Sequence, residues 1–274
     1  MMKIIISPAK KMNVDMDTLA PAGQPVFLKE AEELLQWLRR LSLAEAKAVW
    51  NCSDRIAEQN YRRIEEMDLK RNLTPAVIAY EGIQYQYMAP AVFGGRELDY
   101  IQEHLRILSG FYGVLRPLDG VVPYRLEMQA KASDAGDLYR FWGGKLYREV
   151  TRGKDQSQEK AEQGREGQKK GTLILNLASK EYSRSIEKYL QPEDRLLNCV
   201  FGELEGGRVR QKGTLAKMAR GEMVRYLAEH RVEEPEEIQG FCRLGYRFEE
   251  KLSGENEYIF LKPSSGDGSR KEWK

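Results

Sequence analysis

Lys10, Arg125 and Glu127 are the residues whose types and settings best suit catalysis in this chain. Lys10 follows a short β-branched run, Lys3 to Ile6, that Pro8 stops, and loops leaving a rigid strand commonly carry functional groups. A lysine of lowered pKa serves as nucleophile or base, and a neighbouring carboxylate can orient it. An arginine can clamp a phosphate through its planar fork. Tyr124, Arg125 and Glu127 lie in loop-like or strand-edge sequence rich in proline. The plainer alternative is that Arg125 and Glu127 form a structural ion pair and Lys10 is a surface lysine. Both stand at this level.

A second set of residues suits phosphate contact. Leu98, Ile101, Leu105 and Leu108 recur at helical spacing and predict a helix over Glu97 to Leu108. Gly110 and Gly113 follow it. A glycine turn lets backbone N–H groups approach a phosphate, which would make Ser109, Gly110 and Gly113 the floor of a DNA contact with Arg106 and Arg116 at its sides. Alternatively the glycines simply end a helix and turn the chain. Further on, a helix predicted from Thr214 to Arg231 gathers Leu215, Ala219, Met223, Tyr226 and Leu227 on one side and Lys217, Arg220, Arg225 and Arg231 on the other. Arg208, Arg210 and Lys212 extend this basic stretch. Such a face lies along DNA or is simply solvated.

Other chemistry is excluded or disfavoured. There is no G-x-x-x-x-G-K-[ST] loop, no G-x-G-x-x-G after a strand and no G-x-S-x-G elbow. His104 and His230 are far apart and read as satisfied helix residues. Cys52, Cys199 and Cys242 have no zinc spacing and read as small packed hydrophobes. No metal site and no cofactor are expected; direct iron binding is disfavoured because histidine and thiolate ligands are scattered. The formal net charge of +2 means that any basic surface must come from the distribution of charge.

Several blocks together resemble one family. The run His104-Leu-Arg-Ile-Leu-Ser-Gly-Phe-Tyr-Gly-Val-Leu-Arg-Pro-Leu-Asp119 continues as Pro123-Tyr-Arg-Leu-Glu-Met128. With Ile6-Ser-Pro-Ala-Lys10, Leu138-Tyr-x-Phe-Trp142, Asn176-Leu-Ala-Ser-x-Glu-Tyr182 and Lys217-x-Ala-Arg220, it is similar to the YaaA-like peroxide stress resistance family, in the family's order and over essentially the whole chain. The resemblance implies a family-specific α+β fold and a bacterial role in peroxide resistance, through protection of DNA or control of free iron. It also implies DNA binding through a helix-hairpin-helix-like element beside a basic cleft. Here the two glycines are separated by two residues, where the commonest form of that element has one between them, and Pro117 keeps the second helix short. The partner expected on this basis is double-stranded or structured DNA, recognised by backbone and shape. The alternative is an enzyme acting on nucleic acid or a nucleotide through Lys10, Arg125 and Glu127.

The elements that must position these residues follow from patterning. Helices are predicted over Phe27 to Leu41, Leu43 to Asn51, Ser53 to Glu66 and Asp137 to Val150. Strands are predicted at Lys3 to Ile6, Ala76 to Tyr80 and Thr172 to Leu177, with a helix starting near Ser179. A hairpin turning at Gly206-Gly207 and late strands at Tyr246 to Phe248 and Tyr258 to Phe260 complete the set. Helices and strands mix without clean alternation, so the expected class is α+β: one mixed α/β domain over 1–274. Thr151 to Gly171 and Ser264 to Lys274 are too polar to pack and are expected to be a disordered insertion and a flexible tail. No apolar run reaches the length of a membrane span, and a cytoplasmic location is expected.

Overall fold

A computed structural model describes residues 2–132, 136–152 and 171–263. Most of the expected insertion and the whole of the tail therefore lie outside the described residues. The strands used below are β1 (Met2–Ile6), β2 (Leu105–Ser109), β3 (Gly113–Leu115), β4 (Leu173–Leu177), β5 (Arg195–Glu205), β6 (Arg208–Arg210), β7 (Arg247–Phe248) and β8 (Glu257–Lys262). The helices used below are α1 (Leu28–Arg40), α2 (Leu43–Trp50), α3 (Asp54–Glu66), α4 (Ile83–Met88), α5 (Gly95–His104), α6 (Leu138–Trp142), α7 (Lys145–Val150), α8 (Lys180–Glu187) and α9 (Gly213–His230). The class is mixed α/β. The chain divides into two compact units, one of residues 1–82 and 99–196, the other of 83–98 and 197–274.

In the first unit β1 lies between β4 and β2 and runs parallel to both, with β3 antiparallel to β2. All five residues of β1 are buried, as expected of a strand covered on both faces. The helix α1 buries Ala31, Leu34, Leu35 and Leu38 along one stripe. Ser42 caps α2 in a reciprocal box with Glu45, which satisfies backbone donors that the first turn leaves open. In the second unit β5 pairs with β8 in parallel and with β6 through the expected Gly206-Gly207 hairpin, and β7 lies antiparallel to β8. There α9 crosses α4 closely: a Cβ at Gly221 would stand 2.1 Å from the Gln84 carbonyl oxygen, so only glycine fits.

Three expectations are corrected. The predicted helix over Glu97 to Leu108 stops at His104, and Leu105–Ser109 is a buried strand. The chain then turns and returns as β3, so this segment is a helix followed by a β-hairpin, with no helix-hairpin-helix at 97–117. Leu105 and Leu108 fit a helical period, but Leu105–Ile107 pairs with Ile4–Ile6 of β1, and tertiary pairing overrides local periodicity. Ala76–Ala79 is a helical turn where a strand was expected, because a short buried apolar run fits either state. The helix predicted over Asp137 to Val150 is two, α6 and α7, broken at Gly143 and Gly144.

Candidate functional site

The carboxyl ends of β1 and β4 gather three distant segments of chain. The first is Ser7 to Lys10, after β1. The second, Ala178 to Tyr182, follows β4 and opens α8. Ser7 Oγ accepts the backbone N–H of Ser179 at 2.8 Å and lies 3.2 Å from Ser179 Oγ, which fixes one loop to the other. The third is Tyr124 to Met128. Its buried residues alternate as Tyr124, Leu126 and Met128, so this extended stretch turns Arg125 and Glu127 to one face.

The β2–β3 turn is the bed on which that third segment lies. Ser109 is fully buried; its Oγ accepts the N–H groups of Phe111 and Tyr112 at 3.1 and 2.8 Å. Both lone pairs are then engaged, and its hydroxyl is left to donate to Tyr124 at 2.6 Å. Tyr124 in turn lies 2.7 Å from the Tyr80 hydroxyl. Gly110 allows the closest approach: a Cβ there would meet the Leu126 carbonyl oxygen at 2.5 Å and the Glu127 carbonyl carbon at 2.9 Å. The glycine thus sets the height of Glu127 above the strands.

On this bed Glu127 lies between two cations. Lys10 Nζ is 2.8 Å from Oε2, and Arg125 Nη2 is 3.4 Å from Oε1. Lys10 is two-thirds exposed, with 67% of its side-chain surface open, while Arg125 is largely buried. The Arg125 Nε is buried without a hydrogen-bond partner among the described residues. Glu181 is half-buried, and its Oε1 accepts the Gln129 N–H at 3.3 Å. Burial, and after it the charge of Glu127, hold the Glu181 carboxyl above its ordinary range. A carboxyl kept protonated to higher pH suits proton transfer. Beside the cluster opens a cleft of about 660 Å³ lined by Lys10, Glu127, Gln129, Lys131, Glu45 and Trp50 among others. Trp50 is buried and its indole Nε1 has no acceptor among the described residues.

Lys10, Arg125 and Glu127 are therefore brought together. The residues expected to contact DNA are not. Arg106, Ser109, Gly110 and Gly113 are buried, and only Arg116 of that group is exposed. On α9, Lys217 is exposed, but Arg220 is half-buried with Nε sequestered, and Arg225 is bound to Glu229 at 2.8 Å. Glu229 and Glu222 also hold Arg243. Upstream, Lys212 lies 2.7 Å from Glu203, and Arg210 pairs with Glu205 at 3.6 Å. Arg210, Lys212 and Arg225 of the basic stretch are thus paired with carboxylates, the first two from β5 and the third within α9 itself.

His104 is buried, its Nδ1 2.9 Å from the Met2 carbonyl oxygen and its ring stacked on Tyr100. His230 is exposed, with Nδ1 2.9 Å from the Tyr226 carbonyl oxygen. Cys199 is buried and burial pushes its thiol up, but Cys242 is exposed and does not pack as expected. Among the described residues no three histidine, cysteine or acidic side chains come together as a metal-ligand set, and no helix is long and apolar enough to cross a membrane. Sequence reasoning missed Glu181 and the Ser7–Ser179 link. Their block was visible as a motif, but nothing in it indicated that α8 would open beside Lys10.

Over residues 2–252 the chain matches the family described as peroxide stress protein YaaA. A UPF0246 protein of Agathobacter rectalis is 53% identical over 261 residues, which cover 94% of this chain and 98% of the relative. One from Lachnoclostridium phytofermentans is 52% identical over 272 residues, covering 98% and 100%. A third, from Pediococcus pentosaceus, is 47% identical over 263 residues.

Proposed function

Because the chain belongs to the YaaA family of peroxide stress proteins, we propose that it serves that response as an enzyme acting on nucleic acid or a nucleotide. The centre of the reaction is Lys10, Glu127 and Arg125. The observation that carries this reading is the convergence of the three on one carboxylate, at 2.8 and 3.4 Å, beside an open cleft. Parallel strands offer their ligand sites outside their carboxyl ends. In this reading Lys10 presents its amine to the substrate, Glu127 fixes the direction of that amine, and Glu181 carries a proton. Arg125, held by Glu127, contributes a fixed positive charge for substrate phosphate. The test is turnover of a panel of single- and double-stranded DNA, RNA and nucleotides, compared with Lys10→Ala. Activity lost in the variant supports the reading; no activity in the wild type across the panel sinks it.

A second reading, DNA binding by backbone and shape with little sequence preference in protection or repair, keeps one favouring observation. Arg116, Lys217, Arg208 and Arg231 remain exposed, and phosphate contacts by such groups position DNA without reading its sequence. Fluorescence anisotropy of duplex and branched DNA over a salt series tests it. Each neutralised phosphate contributes a slope of about −0.9 in log affinity against log salt. A flat series, or no binding at low salt, removes it.

A further inference from the structure

The amino ends of β1 and β2 hold a second cluster of charge, outside the centre just described. Pairing of β1 with β2 aligns Ile5 with Arg106, and pairing of β2 with β3 sets Ile107 opposite Leu115. The next residues outward are Arg106, in β2, and Arg116, just past the end of β3, so continuing the register brings two arginines side by side. Like charges so placed destabilise a sheet. Arg106 is only 4% exposed. Burial, and next the repulsion of Arg116, bring its guanidinium down to about 10. Its Nη1 donates to the carbonyls of Leu105 and Gln102 at 2.7 and 3.3 Å, but Nε is buried with no acceptor among the described residues. A buried donor left without an acceptor destabilises the fold.

Among the described residues the nearby acids do not accept from the Arg106 Nε, although the charges of Glu149, Asp119 and Glu103 favour the cation. Asp119 accepts the Arg116 backbone N–H at 2.8 Å, and burial holds its carboxyl up to about 6. Glu149 is bound by Arg152 at 3.2 Å. Arg106, Arg116 and Arg152 line a pocket of about 350 Å³ together with Lys3, Gln102 and the acids Asp99 and Glu103. Lys3 is itself 2% exposed and donates Nζ to the Glu103 carbonyl at 2.8 Å. The lining carries four cations and two carboxylates, with the buried carboxylates Asp119 and Glu149 close enough to bear on Arg106.

We propose that this pocket is a phosphate site, in which a free phosphate ion or the phosphate of a monoester lies between Arg106 and Arg116. A tetrahedral dianion supplies an acceptor for Arg106 Nε–H, meets guanidinium forks that suit such oxygens, and offsets the repulsion between the two arginines. A volume near the lower end of ligand pockets, around a side chain buried as deeply as Arg106, fits a small anion or a molecule's end. It does not fit a phosphodiester within a duplex. The site does not rest on the chemistry assigned to Lys10.

Calorimetric titration of the full chain with inorganic phosphate, and separately with a nucleoside 5′-monophosphate and its nucleoside, tests the proposal. Thermal unfolding is followed in parallel in phosphate and in chloride of equal ionic strength. One phosphate bound per chain, a higher Tm than in chloride, and affinity at least tenfold weaker in Arg116→Ala are expected. Arg106→Met is expected to abolish the response. If that variant does not fold, Arg152→Ala, at the exposed rim, is the second reporter and weakens binding. Binding of the monophosphate but not the nucleoside supports the site as one for a phosphate end; binding of inorganic phosphate alone supports a free-ion site. No heat and no shift beyond the chloride control with either phosphate, or equal affinity in wild type and Arg116→Ala, overturns it.

Discussion

At the carboxyl edge of the parallel strands, Glu127 lies between Lys10 and Arg125. At the amino edge, Arg106 lies beside Arg116 with its Nε unmatched among the described residues. The same residue types therefore take opposite arrangements at the two ends of β1 and β2. At one end an anion is shared by two cations and one of these, Lys10, reaches an open cleft. At the other, two arginines lie side by side at a small pocket, and among the described residues no acceptor meets the Arg106 Nε. The carboxyl edge is suited to orienting a reactive amine, and the amino edge to holding an oxyanion. Loops build the first arrangement and strand register builds the second.

The largest expected effect lies at the bed of the first edge. Gly110→Val drives a side chain into the Leu126 carbonyl, which a Cβ alone already meets at 2.5 Å. We expect about 3 kcal/mol or more of lost stability in urea unfolding; a variant as stable as wild type would show that Gly110 does not support Glu127. Next, Glu127→Gln removes the shared carboxylate and leaves the largely buried Arg125 charge unmatched. A loss of about 2 kcal/mol is expected, with the cost abolished when Arg125→Met is added.

The amino edge gives a pH test of comparable or smaller size. Burial raises Asp119 in the folded state to about 6, from an ordinary value of 3.8. The folded protein then binds this proton more tightly than the unfolded chain does. Its contribution to stability is therefore greatest below about pH 4, falls as pH rises through 6, and is lost above. Asp119→Asn should remove that fall and raise stability at pH 7 by on the order of 2 kcal/mol, read from urea midpoints between pH 4 and 7.5. An unchanged pH profile would place the titration elsewhere. The smallest stability effect is expected at Lys10→Ala, within about 1 kcal/mol, because an exposed ion pair contributes little.

How far these edges were legible in the sequence differs with their physical origin. The helices α1, α2, α3 and α9 follow from apolar spacing, with a cap at α2, and the strands β1 and β4 from short runs that are buried on both faces. Lys10, Arg125 and Glu127 were recognisable by type and setting, but their meeting depends on Gly110 and Ser109, which read as a helix end or a phosphate-binding turn. The adjacency of Arg106 and Arg116 was hidden by the same misreading. In a helix followed by a turn these two arginines have no fixed relation, whereas a two-strand register makes them neighbours. The pairing of Arg210 and Lys212 in the basic stretch was hidden for a similar reason: Glu203 and Glu205 reach them from the neighbouring strand β5.

The most direct test of the carboxyl-edge centre is the ratio of kcat/KM between wild type and Lys10→Ala on whichever nucleic acid or nucleotide the wild type turns over, with thermal unfolding of both proteins alongside. The expected result is a loss of at least about a hundredfold at an essentially unchanged Tm. Equal kcat/KM in the two proteins would contradict the assignment of Lys10 and, with it, the centre built around Glu127.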